Sequence, residues 1–171
     1  MAEAGLTLVL GGARSGKSRF AEGLVAAWPA PWRYVATAQG LDAEMTARIA
    51  EHRRRRAAGW ETVEAPLDLV AALDACPAGR PVLVDCLTLW LSNVLLAGGD
   101  VAAESARLAA RLARPGGPVV VVANEVGFGI VPDNALARRF RDAAGWLNQS
   151  VAAAADRVVL VVAGLPVEVK R

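Results

Sequence analysis

The chain has 171 residues, 54% of them hydrophobic, and a formal net charge of +2 at pH 7. That length suits one domain over residues 1–171 with a full buried core, and the charge is too small to argue for a nucleic-acid partner. No apolar run reaches the roughly 18 residues that cross a bilayer, and the amino-terminal residues lack the basic start and cleavage pattern of a secretory signal, so a cytoplasmic protein is expected. Cys76 and Cys86 lack metal-ligand spacing and are expected to be thiols in a reducing compartment.

The first element is the apolar run Leu6-Thr7-Leu8-Val9-Leu10, which reads as a buried strand. Directly behind it stands Gly11-Gly12-Ala13-Arg14-Ser15-Gly16-Lys17-Ser18, the pattern G-x-x-x-x-G-K-[ST] of a phosphate-cradling P-loop, placed as that motif requires between strand and helix. Gly11, Gly12 and Gly16 are expected to free the backbone so that successive N–H groups turn onto phosphate oxygens. Lys17 supplies a point charge for the outer phosphates, Ser18 a hydroxyl for Mg²⁺, and the following helix its positive dipole end.

Phe20, Leu24 and Trp28 recur every four residues and predict the sheet-facing side of that helix, closed by Pro29 and Pro31. Arg33 to Thr37 reads as a second strand. Strand ends line the crevice in parallel sheets, so Ala36, Thr37 and Ala38 are candidates to touch a nucleotide, although an ordinary strand exit reads equally well. Asp42 caps a helix through His52, with Met45, Ile49 and His52 on one face and ion pairs expected for Glu44 with Arg48 and Glu51 with Arg55. On the residues alone, His52 reads more readily as a packing residue than as a catalyst. The basic run Arg53, Arg54, Arg55, Arg56 likewise reads as a solvated helix end.

Trp60 to Glu64 predicts a short strand and Leu67 to Leu73 a short helix. Pro81 to Asp85 is a buried strand ending in an acid, the Walker B pattern, which places Asp85 across from Ser18 as a candidate to hold the water shell of Mg²⁺. Leu87 to Leu96 is an apolar helix suited to the core or a subunit contact. Gly98-Gly99-Asp100 breaks it, and Ala102 to Leu112 follows as a surface helix. Val119 to Ala123 is a fully buried strand. Its exit, Asn124 to Pro132, combines apolar side chains with glycines, a composition that more often holds a ligand than merely turns. Asp133 or Asn134 caps a helix whose inner face is Leu136, Phe140, Ala144, Leu147 and Val151, with Arg138, Arg139, Arg141 and Asp142 outside. Arg157 to Ala163 is a further strand, and Gly164-Leu165-Pro166 turns into Val167-Glu168-Val169, which leaves room for an antiparallel edge strand. The alternation predicts a three-layer α/β P-loop NTPase fold with a mostly parallel sheet.

Four blocks in order, Gly11 to Ser18, Tyr34-Val35-Ala36-Thr37-Ala38, Asp42 to Met45 through Arg48-Ile49 to His52-Arg53, and Asn124 to Pro132, closely resemble the bifunctional adenosylcobinamide kinase/adenosylcobinamide-phosphate guanylyltransferase family of cobalamin biosynthesis. The resemblance runs almost from end to end. It implies two reactions, phosphorylation of adenosylcobinamide by a nucleoside triphosphate, ATP or GTP, and transfer of GMP from GTP to adenosylcobinamide phosphate. The products of the second are adenosylcobinamide-GDP and pyrophosphate. By the resemblance His52 carries the GMP-histidine intermediate. Arg53 to Arg56, Thr37 and its neighbours, Glu64 and Asp85 match nucleotide-binding positions, and the assembly is a homotrimer that gives Leu87 to Leu96 a partner. Asp85 stands where many relatives carry Glu, and Glu51 where some carry a second histidine.

The chemistry agrees with that implication. A neutral imidazole is a competent nucleophile toward the α-phosphorus, and guanidinium groups beside it stabilise charge on the transferring phosphate. Lys17 and Mg²⁺ would neutralise the pyrophosphate leaving group. The competing readings are a P-loop small-molecule kinase in which His52 is structural, and a regulatory nucleotide-binding module whose arginine run docks an acidic partner.

Overall fold

The computed structural model describes residues 5–40, 42–56 and 58–171, with the side chains of Arg48 and Arg55 outside that description. In chain order the elements are β1 (Leu6–Gly11), α1 (Lys17–Ala26), β2 (Trp32–Ala36), α2 (Ala43–Arg55), β3 (Trp60–Glu64), α3 (Leu69–Asp74) and β4 (Val82–Asp85). There follow α4 (Leu87–Leu96), α5 (Val101–Leu112), β5 (Val119–Asn124), a 3₁₀ turn at Val126–Phe128, α6 (Ala135–Ala154), β6 (Arg157–Val162) and β7 (Leu165–Lys170).

Strand alternation sorts the core into two layers. Leu6, Leu8 and Leu10 of β1, Val82 and Val84 of β4, and Val119 and Val121 of β5 face one side, where Leu69, Leu87, Trp90, Leu91, Leu108, Leu112, Leu147 and Val151 cover them. Val9, Leu83, Val120, Val122, Val159 and Val161 face the other, against Ala21 and Val25 of α1. Each fully buried Leu or Val stabilises the fold by about 1.5–3 kcal/mol relative to exposure, so the β-branched central strands are fixed by burial on both faces. The strands form one sheet in the order β3-β2-β4-β5-β1-β6-β7. Neighbours from β3 through β6 are parallel, and β7 alone runs antiparallel, against β6. The expected three-layer α/β arrangement is therefore present, antiparallel edge included.

Several local expectations shift. The buried face of α1 is Ala21 and Val25, while Phe20 and Leu24 are only partly buried and Trp28 lies beyond the helix end. Small residues bring that helix closer to the sheet than the larger ones would. Leu136 is exposed, so the inner face of α6 begins at Phe140. Arg138 is half-buried and donates to the carbonyls of Pro132 and Asp133. The apolar side chains of Leu87, Trp90, Leu91 and Val94 are consumed by the chain's own core. The tight turn before β7 is Ala163-Gly164, both with positive φ, and the strand starts at Leu165. The expected pairs Glu44 with Arg48 and Glu51 with Arg55 rest on side chains outside the described residues.

Helix capping points to the working edge. Asp42, Asp68, Asp100 and Asn134 each cap a helix by accepting from the N–H three residues on, at Met45, Ala71, Ala103 and Ala137. The starts of α1 and α4 carry no such cap, at Gly16 and Cys86. Lys17 and Cys86 both border one cavity.

Candidate functional site

The cavity has a volume of about 760 Å³ and opens at the carboxyl ends of β1, β2, β4 and β5. Its floor is Lys17 and Ser18 from the P-loop, its sides are Tyr34, Ala36, Ala38, Glu64, Asp85 and Asn124, and its cover is Met45, Ile49, His52, Arg53 and Arg56 from α2.

The P-loop is shaped by its own backbone. Gly16 has φ +94°, a conformation that L side chains rarely adopt, and a Cβ there would meet Gly164 Cα at 3.2 Å. At Gly11 a Cβ would reach the Val161 carbonyl oxygen at 2.8 Å and collide with the Ser15 side chain. Gly12 has open space around it, so no described protein atom requires its lack of a side chain. The Gly164 N–H donates to the Ser15 carbonyl at 2.8 Å and ties the loop to the β6–β7 turn. Lys17 is only 7% exposed and donates from Nζ to the Gly12 carbonyl at 3.0 Å. A buried ammonium resting on a backbone carbonyl is ready to exchange that neutral acceptor for a phosphate oxygen, a stronger, charge-assisted bond.

The face Met45, Ile49 and His52 is real, but it does not pack on the sheet. Among the described residues, α2 contributes nothing to either buried cluster. Its apolar side forms part of the cavity wall instead, and His52 shares that cavity with Lys17 and Ser18 of the P-loop. The arginines divide. Arg53 donates from Nη2 to Glu64 Oε1 at 2.6 Å. Arg56 lies over the Tyr34 ring, with its guanidinium carbon 3.7 Å from the centroid, and donates to the His52 carbonyl and to Thr62 Oγ1. Arg54 is exposed and away from the cavity lining. The Arg55 side chain lies outside the described residues.

Strand alternation also divides Ala36, Thr37 and Ala38. Tyr34, Ala36 and Ala38 face the cavity. The Thr37 side chain points the other way, fully buried, where it donates to the Cys86 carbonyl at 2.7 Å and accepts from the Cys86 N–H at 2.9 Å. Asn93 Nδ2 bridges the carbonyls of Thr37 and Pro66 at 2.8 and 3.0 Å. The Asp85–Cys86 peptide bond is cis. Burial and the neighbouring Asp85 carboxylate push the Cys86 thiol up to about 11, so it stays protonated and inert.

Asp85 accepts from the Tyr34 hydroxyl at Oδ2, 3.0 Å away. With Ser18 it offers hard oxygen donors to the same cavity as Lys17. Among the described residues no group of three His, Cys, Asp or Glu side chains could cage an ion. Sparse oxygen ligands suit Mg²⁺, which keeps several waters and takes the rest of its shell from phosphates, so the residues present fit that ion.

The sequence reading overlooked Tyr34 and Asn93, and also Asn148, a buried amide on α6 that donates to the Asn124 carbonyl at 3.2 Å. Period-two counting back from Ala36 would have found Tyr34 and turned Thr37 inward. Beyond Asn124, the loop to Pro132 leaves Phe128, Ile130 and Val131 exposed, Ile130 at 97%. A shallow pocket of about 310 Å³ lies beside it, lined by Gly127, Arg141, Asp142, Gly145, Trp146 and Gln149.

Residues 7–169 match the family model described as cobinamide kinase / cobinamide phosphate guanyltransferase. The chain belongs to that family. It is 51% identical over 166 residues to the bifunctional adenosylcobalamin biosynthesis protein CobP of Pseudomonas aeruginosa, with 95% of this chain and 96% of that protein covered. It is 46% identical over 182 residues to the bifunctional adenosylcobalamin biosynthesis protein CobU of Salmonella typhimurium, with 96% and 99% covered. The CobU protein of Escherichia coli K12 is 45% identical over 182 residues, with the same coverage. Among solved structures, the P4 protein from bacteriophage phi6 in complex with ADP superimposes with a TM-score of 0.48 at 17% identity, covering 96% of this chain and 54% of that one. As a member of the cobinamide kinase / guanyltransferase family the chain is an enzyme, and the reading as a regulatory nucleotide module is set aside. No helix among the described residues is long and apolar enough to cross a membrane.

Proposed function

We propose that this cavity carries out both reactions of adenosylcobinamide activation in cobalamin biosynthesis, with His52 as the residue that becomes guanylylated. The observation that supports the reading is that His52 and the P-loop residues Lys17 and Ser18 line one cavity, so that a triphosphate anchored by the loop would share it with the imidazole.

In the kinase reaction, the aminopropanol hydroxyl of adenosylcobinamide attacks the γ-phosphorus of ATP or GTP. The new O–P bond forms as the bridging bond to the β-phosphate breaks, and the hydroxyl proton leaves to solvent. In the guanylyl reaction, an imidazole nitrogen of His52 attacks the α-phosphorus of GTP, the bond to the β-phosphate breaks, and pyrophosphate departs. A phosphate oxygen of adenosylcobinamide phosphate then attacks the same phosphorus, breaks the P–N bond, and restores the imidazole as adenosylcobinamide-GDP forms. Mg²⁺ held by Ser18 and Asp85 would supply charge neutralisation on the phosphates. Lys17 holds the β- and γ-phosphates in both reactions, and Arg53 and Arg56 stand where negative charge develops near His52. The exposed Phe128, Ile130 and Val131, on the loop that leaves the cavity at Asn124, offer the corrinoid an apolar face. The reading includes assembly as a homotrimer, checked by analytical ultracentrifugation, and action in the cytoplasm, where nucleoside triphosphates are supplied.

The test is incubation with GTP labelled at the α-phosphorus. An acid-labile, alkali-stable protein adduct, absent in His52→Ala, is the expected result, together with pyrophosphate release on adding adenosylcobinamide phosphate. His52→Ala should retain phosphoryl transfer to adenosylcobinamide. Pyrophosphate release unaffected by the substitution would overturn the covalent route and leave the simpler P-loop kinase as the better reading.

A further inference from the structure

On the reading just given, the cavity has two working ends, Asp85 on β4 and His52 on α2. We propose that Tyr34 is the positioning residue for both, its hydroxyl orienting the Asp85 carboxylate and its ring face seating Arg56 at the end of the histidine helix.

Tyr34 sits in the middle of β2 and is 5% exposed, yet its side chain forms part of the cavity wall. Its hydroxyl donates to Asp85 Oδ2 at 3.0 Å. A phenol is protonated near neutral pH, and an ionised carboxylate can only accept, so the hydroxyl is the donor of this bond. Pinning Oδ2 stops the carboxylate from rotating and leaves Oδ1 as the acceptor presented to the site. A phenylalanine would fill the same space and offer the same ring face. The specific gain from the hydroxyl is therefore the bond to Asp85.

The ring is held in turn. Trp60 meets it edge-on, with centroids 5.9 Å apart and an interplanar angle of 81°. Across its other contact the Arg56 guanidinium stacks 3.7 Å from the centroid, a cation–π arrangement. That guanidinium also donates from Nε to the His52 carbonyl at 3.2 Å and from Nη1 to Thr62 Oγ1 at 3.1 Å. A continuous set of contacts thus runs from Asp85 through Tyr34 and Arg56 to the backbone of His52. It couples the acid to the histidine helix without passing through the nucleotide. None of the residue patterns that mark the P-loop or the acid-terminated strand includes Tyr34.

The test is a double-mutant cycle of Tyr34→Phe and Asp85→Asn in the full-length chain. Binding of a non-hydrolysable GTP analogue is measured by calorimetry with Mg²⁺ and with chelator, beside steady-state phosphoryl transfer. Y34F should fold with a melting temperature near that of the parent and bind the metal-free nucleotide equally well. It should lose roughly tenfold of the Mg²⁺-dependent gain in affinity, the scale of one hydrogen bond to a charged group. In phosphoryl transfer the loss should fall on kcat rather than on KM for the corrinoid. On the D85N background Y34F should change nothing further. Unaltered Mg²⁺-dependent affinity in Y34F, or a loss that adds in full to that of D85N, would overturn the orienting role of the hydroxyl.

The ring is tested with Tyr34→Leu read against Y34F, and with Tyr34→Met in case the leucine variant does not fold. Each should slow formation of the GMP adduct at least several-fold beyond Y34F, and rates equal to that of Y34F would overturn the seating of Arg56. If the parent enzyme itself forms no histidine adduct, the covalent reading fails. The Mg²⁺-dependent binding cycle, which needs no turnover, then still decides the role of the hydroxyl.

Discussion

Thr37 and Cys86 exchange two hydrogen bonds through a single hydroxyl: Thr37 Oγ1 donates to the Cys86 carbonyl at 2.7 Å and accepts from the Cys86 N–H at 2.9 Å. This clasp joins the end of β2 to the first residue beyond β4, immediately after Asp85. The Cys86 carbonyl also accepts from the Trp90 N–H at 3.2 Å, so removal of the hydroxyl falls mainly on the Cys86 N–H. Thr37→Val keeps the shape and strands that buried donor, at a cost of about 1–3 kcal/mol. The expected melting temperature is several degrees lower, at about 2–4 °C per kcal/mol for a chain of this size. Thr37→Ser should keep most of the stability. Differential scanning calorimetry of both variants checks the pair, and a loss for Ser with none for Val would show that the methyl matters rather than the clasp.

The sheet was legible because its central strands carry their own signal. Val119 to Val122 and Leu6 to Leu10 are too apolar to lie anywhere but the middle of a covered sheet. The P-loop was legible because its chemistry is local, contained in eight consecutive residues, Gly11 to Ser18. The contacts that organise the rest of the site are not local. Tyr34 and Asp85 lie 51 residues apart and Asn93 and Thr37 lie 56 apart, and nothing in either neighbourhood announces the other. The face of α2 shows the limit of periodicity. Met45, Ile49 and His52 were correctly placed on one side, but an amphipathic stripe does not say whether it covers a core or a cavity.

The hairpin before β7 contains a removable strain. Ala163 has φ 51° and Gly164 φ 81°, the two left-handed residues of a two-residue turn that joins Val162 to Leu165. Alanine in that conformation costs roughly 1 kcal/mol, whereas asparagine tolerates it and Asn-Gly is the favoured pair for such a turn. Ala163→Asn should stabilise the protein by about 0.5–1 kcal/mol, seen as a higher midpoint in urea with an unchanged m value. A lower midpoint would mean that contacts of the turn, among them the Gly164 N–H bond to Ser15, outweigh its backbone preference.

The edge strand β7 carries an acid-sensitive contribution. Arg157 donates from Nε to Glu168 Oε2 at 3.1 Å and pairs a second time through Nη2. These bonds hold the Glu168 carboxyl below its ordinary value of 4.5. A carboxylate whose folded value is depressed adds stability above its unfolded value and loses it as pH falls through the folded one. The pair is partly solvated, so its contribution is no more than about 1 kcal/mol. Glu168→Gln should be less stable than the parent near neutral pH, and the gap should close as the pH falls below the ordinary carboxyl value of 4.5 and through the lower folded one. Urea melts at three pH values check this, and a gap that does not vary with pH would assign the difference to shape rather than charge.

Arg53 and Glu64 form a 2.6 Å ion pair whose side chains are 51% and 68% exposed. At that exposure a pair is worth about 0–1 kcal/mol, so stability does not explain a carboxylate at the mouth of a cavity that receives phosphates. Its charge would repel those phosphates unless another part of the ligand supplied donors. A guanine ring does, through adjacent N–H groups on one edge, whereas adenine presents an acceptor there. Among the described residues Arg53 engages Oε1 of Glu64, and Oε2 has no hydrogen-bond donor. Glu64→Gln should therefore leave the melting temperature within about 2 °C of the parent while raising KM for GTP roughly tenfold, the scale of a hydrogen bond to a charged group. Use of ATP in the kinase reaction should be nearly unchanged. Steady-state kinetics with both nucleotides decide the matter: equal losses for GTP and ATP would assign Glu64 to orienting Arg53 rather than to reading the base.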